Sequence, residues 1–137
     1  MNSPSEEQKI IIDYVKNKNN VIVDACAGSG KSTTILSMAK QLNRRKFLQL
    51  TYNSLLRHEV KDKIKELKLK NITVHTYHSL AVRYYMSNSY TDTGIRKILH
   101  LNVPPREVIN HIDVLVIDEA QDMTQLYFEF IVKFIKD

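Results

Sequence analysis

The residues able to do chemistry fall into a few short groups. The first is Val21-Ile22-Val23-Asp24-Ala25-Cys26-Ala27-Gly28-Ser29-Gly30-Lys31-Ser32-Thr33-Thr34. An apolar run of strand type leads into a glycine-containing turn and then into the start of a helix. Such a turn aims several backbone N–H groups at one spot beside a helix N-terminus, which makes an anion site. Gly28 and Gly30 permit the tight curl. Lys31 is then placed to reach the β- and γ-phosphates of a nucleotide, and the Ser32 hydroxyl to sit on Mg²⁺. The strict pattern G-x-x-x-x-G-K-[ST] has Ala25 at its first position, so the match is carried by the strand before it and the helix after it.

A second group, Asp118-Glu119-Ala120-Gln121-Asp122, directly follows the apolar run Val114-Leu115-Val116-Ile117. An aspartate at the end of such a strand can hold the Mg²⁺ that Ser32 also contacts, usually through water. The neighbouring Glu119 is placed to orient and deprotonate an attacking water. Alone, this acidic pair would read as a helix N-terminus complementing the macrodipole. A phosphate loop upstream shifts the balance to nucleotide hydrolysis.

Two further groups carry aromatic residues, Thr51-Tyr52-Asn53 and Thr76-Tyr77-His78-Ser79. Core packing is an even reading of Tyr52 and Tyr77. Gln8 either completes a capping box with Ser5 or reads an adenine edge, for which its amide offers a donor and an acceptor. His75 and His78 do not form a metal pair on spacing grounds, since they straddle a strand end and a helix cap with no further ligand cluster.

The elements that must position these groups follow from periodicity. Ser5 opens a first helix with Ile10, Ile11, Tyr14 and Val15 on its apolar face. After the phosphate loop, Ile35, Ala39 and Leu42 share one helical face. Lys46 to Tyr52 reads as a strand, and Asn53-Ser54 caps a helix with Leu56, Val60, Ile64 and Leu67 on one side. Its other side holds Lys61, Lys63, Lys65 and Lys68, a solvated face. Asn71 to His75 is a third strand, and a helix is expected from about Leu80. Ser87 to Gly94 reads as a loop and Ile95 to Leu101 as a short helix, which Pro104-Pro105 stops and which another helix is expected to follow. Asp113 to Ile117 is a strand apolar enough for burial on both faces. Thr124 to Ile135 is a helix apolar on nearly all sides. Alternating strands and helices imply an α/β fold with a parallel sheet, right-handed crossovers and helices on both faces. Ligands bind such sheets at the carboxyl ends of the strands. The phosphate loop, Thr51-Tyr52-Asn53, His75-Thr76-Tyr77-His78 and Asp118-Glu119 all fall at such ends.

Composition sets the limits. The chain has 137 residues and a formal net charge of +5, which suits one domain with a polyanionic partner. Its single cysteine, Cys26, excludes an intrachain disulfide. No run approaches the ~20 apolar residues of a membrane span, and the N-terminus lacks the pattern of a secretory signal. These features lead to the expectation of a soluble intracellular protein of the nucleus or cytoplasm, with no membrane partner.

The combination resembles the N-terminal ATPase domain of superfamily 1 DNA helicases of the UvrD/Rep/PcrA kind. It looks closest to the F-box DNA helicase branch and its viral relatives. Ser5-Glu6-Glu7-Gln8 is similar to the family's Q motif, and Ala25 to Thr33 to its motif I, which tolerates alanine at the first position. Leu50-Thr51-Tyr52-Asn53 resembles motif Ia, Thr76-Tyr77-His78-Ser79-Leu80 motif Ib, and Asp118-Glu119-Ala120-Gln121-Asp122 motif II. The resemblance implies a RecA-like P-loop NTPase domain over residues 1–137. It implies ATP and Mg²⁺ as cofactors, held by Gln8, Ala27, Gly28, Ser29, Gly30, Lys31, Ser32 and Thr33, with Ser32 and Asp118 on the metal. It implies Glu119, Lys31 and Gln121 as catalytic residues. It also implies single-stranded DNA crossing Tyr52, Asn53, Tyr77, His78 and Ser79.

Two departures shape the expectation. The family inserts a helical subdomain between motifs Ib and II, and here that interval is reduced to about residues 84–112. The second RecA-like domain, with its arginine fingers, has no counterpart, so the chain reads as the first half of a motor that is nearly inactive alone. The competing readings are a motor-less ATP-binding regulatory or interaction module and a P-loop small-molecule kinase. The kinase reading leaves the Asp-Glu-Ala-Gln-Asp and Thr-Tyr-His-Ser-Leu stretches unexplained.

Overall fold

The computed structural model describes residues 31–52, 54–118 and 123–137. Along the chain these form α1 (Lys31–Gln41), β1 (Phe47–Thr51), α2 (Ser54–Glu66), β2 (Ile72–Thr76), α3 (Tyr77–Tyr84), α4 (Asp92–His100), β3 (Val114–Ile117) and α5 (Gln125–Lys136). The expected N-terminal helix and the strand at Val21 lie outside the described residues.

The three strands form a parallel sheet in the order β2-β1-β3. Phe47 pairs with Ile72 and Val114, Leu50 with His75 and Ile117, and Thr51 with Thr76. This register puts Tyr52, Tyr77 and Asp118 together at one edge, each the first residue beyond its strand. β1 is central and buried at every position. β2 alternates, with Ile72, Val74 and Thr76 buried and Thr73 exposed, as a strand covered unequally on its two faces must. β3 is half-buried throughout, so the expected burial on both faces is not met. Among the described residues β3 pairs with β1 alone, which leaves its outer flank less covered.

Period-two alternation splits the core into two layers. On one face α1 contributes Ile35, Leu36, Met38 and Ala39 against Phe47 and Ile72, with Ile64 of α2 and Leu67, just past its end, packed beside them. On the other face Leu48 and Leu50 meet Tyr77, Leu80 and Ala81 of α3, Ile95 and Ile98 of α4, and Phe130, Ile131 and Phe134 of α5. Helices thus cover both faces, as the alternating pattern requires. Helix α5 is not buried all round. Phe130, Ile131 and Phe134 turn inward, while Phe128 and Ile135 are exposed.

Local chemistry ends the helices. α2 and α4 both finish with a non-glycine residue at positive φ, Lys68 at 57° and Asn102 at 47°. In each case the paired bonds of a Schellman turn form: Leu69 N–H to Ile64 O and Lys68 N–H to Lys65 O, and Val103 N–H to Ile98 O and Asn102 N–H to Leu99 O. The last turn of α1 and the connection after it are held by Asn71 instead. Its Nδ2 donates to the carbonyls of Ala39 (2.9 Å), Leu42 (3.2 Å) and Arg45 (2.9 Å). Asn71 immediately precedes β2, so the end of α1 is fastened to the amino edge of the sheet. From there α1 packs back along the sheet face for ~16 Å, and its first turn, at Lys31, lies toward the carboxyl edge.

The interval 84–112 is ordered by the domain around it. Its helix begins at Asp92, earlier than the expected Ile95, and Gly94 lies inside it. A Cβ on Gly94 would stand 2.4 Å from Ser89 Cα, so only glycine allows this close approach. No helix follows Pro105. The chain is irregular there and bends at residues 106–107, and Arg106 binds the end of α3 through its backbone N–H to Tyr84 O (2.7 Å) and its guanidinium to the carbonyls of Val82 and Arg83. Those carbonyls need donors, and supplying them ties this segment to the end of α3.

Candidate functional site

Of the sequence-selected residues, Gln8, Ala27, Gly28, Ser29, Gly30, Asn53, Glu119 and Gln121 lie outside the described residues. Lys31, Ser32 and Thr33 make up the first turn of α1, a position whose N–H groups have no intrahelical acceptor. Asp118 follows β3, and its backbone N–H donates to Leu50 O (3.0 Å). That bond continues the β1–β3 ladder by one step and fixes the carboxylate at the edge. Its Oδ1 is sealed from solvent. A helix first turn that carries Lys and Ser, and a strand-end carboxylate beyond the same sheet, are the donor types that a Mg²⁺-nucleotide requires. The residues present fit such a group.

Next to Asp118 the edge is built of aromatic rings. Tyr77 and Tyr127 stack with centroids 4.5 Å apart and planes within 8°. Tyr52 tilts against both, at 5.1 Å from Tyr77 and 5.8 Å from Tyr127. The His78 ring stands edge-on to Tyr127 at 5.8 Å. Three elements converge here: the end of β1, the start of α3 and the first turn of α5. Burial, then the neighbouring Tyr52, raise the Tyr77 phenol well above its ordinary range, and Tyr127 and the Asp118 charge add to this. Tyr77 therefore stays protonated.

A polar network closes over this stack. The Tyr127 hydroxyl donates to Asp92 Oδ1 at 2.7 Å, and His78 Nε2 lies 2.8 Å from the same oxygen. An ionised carboxylate only accepts, so His78 carries a proton on Nε2. The two donors hold Asp92 below the usual carboxylate range, Tyr127 first and His78 second. Burial and then the bond to Asp92 raise the Tyr127 phenol.

Two residues of the expected DNA path have structural roles at this edge. Tyr77 is 1% exposed, so it packs the core and offers no face to a base. Ser79 is a capping residue. Its N–H donates to Thr76 Oγ1 (3.0 Å), its Oγ accepts from Thr76 N–H (2.9 Å), and the same Oγ lies 2.9 Å from His75 Nδ1. The capping box uses both polar atoms of Ser79 to start α3. Helix α3 accordingly begins at Tyr77, ahead of the expected Leu80. Tyr52 and His78 remain partly accessible at the edge. His75 is held down to about 4, first by burial and then by the charges of Arg57, Lys61 and Arg83.

Asp92 and Tyr127 were not selected from the sequence. Asp92 sits in a stretch that reads as a polar loop. Tyr127 sits in a helix that reads as apolar throughout, where a lone phenolic oxygen was the available signal. Among the described residues, no group of three or more His, Cys, Asp or Glu could hold a metal on its own, and no helix is long and apolar enough to cross a membrane.

No curated protein and no solved structure matches this chain. A family model described as an AAA domain matches residues 8–137, a span that runs from the glutamine of the first motif through the phosphate loop, the aromatic edge and α5. With an α/β fold of parallel strands and helices on both faces, the chain belongs to the AAA domain family of P-loop NTPases.

Proposed function

We propose that this chain is the ATP-binding half of an ATP-dependent DNA helicase or translocase of the UvrD/Rep type. It binds ATP, Mg²⁺ and single-stranded DNA along the carboxyl edge of the sheet and works against a second RecA-like domain. P-loop domains of the AAA class typically bind ATP and Mg²⁺. The observation that carries the reading is the register of the sheet. Tyr52, Tyr77 and Asp118 each stand one residue past their strands on one edge, toward which α1 directs its first turn.

In this reading Lys31 and the N–H groups of residues 27–33 bind the phosphates, while Gln8 receives the adenine. Ser32 and Asp118 hold Mg²⁺, which when bound neutralises charge on the phosphate oxygens. Glu119 takes a proton from the attacking water and Gln121 helps to orient it. Single-stranded DNA lies across Tyr52, Asn53 and His78. Part of the opposing charge must come from an arginine on the partner domain, whose loss typically costs ~10³–10⁵ in turnover. The chain alone therefore binds nucleotide and hydrolyses it poorly.

The test is fluorescence anisotropy with a labelled oligothymidylate, titrated at several salt concentrations. Affinity is expected to fall steeply with salt, because phosphate contacts release counterions. Tyr52→Ala and His78→Ala are each expected to weaken binding. Binding indifferent to both would place the strand elsewhere, on the Lys61–Lys68 face. Unwinding of a duplex by the chain alone would contradict the half-motor assignment.

A further inference from the structure

The Asp92 carboxylate is gripped in the way a phosphate would be. Two donors converge on one oxygen, the Tyr127 hydroxyl at 2.7 Å and His78 Nε2 at 2.8 Å. Both are held before any ligand arrives. The Tyr127 ring lies flat on Tyr77, which the core immobilises, and the His78 ring abuts the edge of Tyr127. Arg96, one turn along α4, adds positive potential at Asp92. Charge-assisted bonds of this kind serve carboxylate and phosphate oxygens alike.

The carboxylate itself is the most exposed part of the arrangement. The Asp92 side chain is 46% exposed and His78 is 32% exposed, so the grip opens to solvent. The helix carrying Asp92 is anchored elsewhere, through Ile95 and Ile98 at 0% exposure and through Gly94 pressed on Ser89. A rotation about the Asp92 side chain frees both donors without moving α4.

We propose that His78 Nε2 and the Tyr127 hydroxyl form a phosphodiester-binding site for single-stranded nucleic acid, which Asp92 fills until the strand displaces it. This rests on the single-stranded DNA reading of the same edge. Asp92 thereby sets a threshold for binding, since its charge must leave the donors and then stands beside the incoming phosphate. If Asp92 instead only positioned His78 for contact, its removal would weaken binding, so the two roles predict opposite signs.

The experiment measures oligothymidylate affinity by anisotropy for wild type, Asp92→Asn, Asp92→Ser, Tyr127→Phe and the Asp92→Asn/Tyr127→Phe double variant. The serine variant provides a second, smaller replacement that suits a helix first turn. Removing the competing charge is expected to tighten binding by about 5-fold, the scale of one exposed ion pair. In the Tyr127→Phe background one of the two donors is gone, so the gain is expected to shrink below about 2-fold, a coupling that only a shared ligand site produces. Unchanged or weaker binding by both Asp92 variants, with wild type still binding, would overturn the proposal and leave the nucleic-acid reading standing. A gain that persists undiminished without the Tyr127 hydroxyl would also overturn it. No binding by any of the proteins would overturn the nucleic-acid reading itself, and the proposal with it.

Discussion

Acidification should weaken this fold through His75 in a defined pH window. His75 is the penultimate residue of β2, faces the positive charges of Arg57, Lys61 and Arg83, and is buried enough that its imidazole is held down to about 4 from an ordinary 6.5. In the unfolded chain the same ring takes up a proton near 6.5. The unfolded state therefore binds more protons than the folded state between about pH 4 and 6.5, and stability rises with pH across that range. The contribution is complete above pH 6.5 and is lost as pH falls toward 4. The gap is worth about 3 kcal/mol in full, and about 2.5 kcal/mol of it should disappear between pH 7.5 and 4.5. Asp92 and Asp113 are also shifted, but downward from 3.8, so their stabilising effects fade only at lower pH. Urea unfolding at several pH values reads the loss directly. His75→Gln keeps a polar side chain without the titration and should flatten the profile by the same amount. Parallel profiles for wild type and His75→Gln would refute the reasoning, because the titrating group would then lie elsewhere.

Asn71→Ala strips the donor from three carbonyls, one in the last turn of α1 and two in the connection after it, with Asn71 itself 8% exposed. A loss of about 2–3 kcal/mol in urea unfolding is expected, and a loss under about 0.5 kcal/mol would show that water replaces the side chain. Gly94→Ala drives a Cβ to 2.4 Å from Ser89 Cα and 2.7 Å from Ser89 Cβ. Neither atom belongs to a flexible side-chain end, so the midpoint of thermal unfolding should drop, by an amount corresponding to about 2–4 kcal/mol. An unchanged midpoint would mean that the loop before α4 yields freely.

Much of the architecture was legible because it rests on short-range patterning. The apolar runs at Phe47 and Val114 and the helical spacing of Ile35, Ala39 and Leu42 gave the sheet and its covering helices. Boundaries were less legible where a tertiary contact decided them. α3 starts at Tyr77 because the hydroxyls of Thr76 and Ser79 cap each other. α4 starts at Asp92 inside a stretch that reads as polar loop, because Gly94 and Ile95 bury there. The half-burial of β3 depends on neighbours that its own residues cannot reveal. At the site, the strand-end placement of Tyr52, Tyr77 and Asp118 followed from counting strands. The partition among them did not, since a tyrosine that stacks in the core and one that faces solvent carry the same letter. Asp92 and Tyr127 were invisible for a related reason. They lie 35 residues apart and meet only through the fold.

The central claim is that the first turn of α1 and the strand end at Asp118 hold a nucleotide. Isothermal titration of ATP with Mg²⁺ into wild type and Lys31→Ala tests it most directly, with circular dichroism confirming that both are folded. Wild type should bind and Lys31→Ala should bind at least about 10-fold more weakly, the loss of roughly one charge-assisted phosphate contact. Equal affinity in the two proteins, or no binding by wild type, would contradict the account.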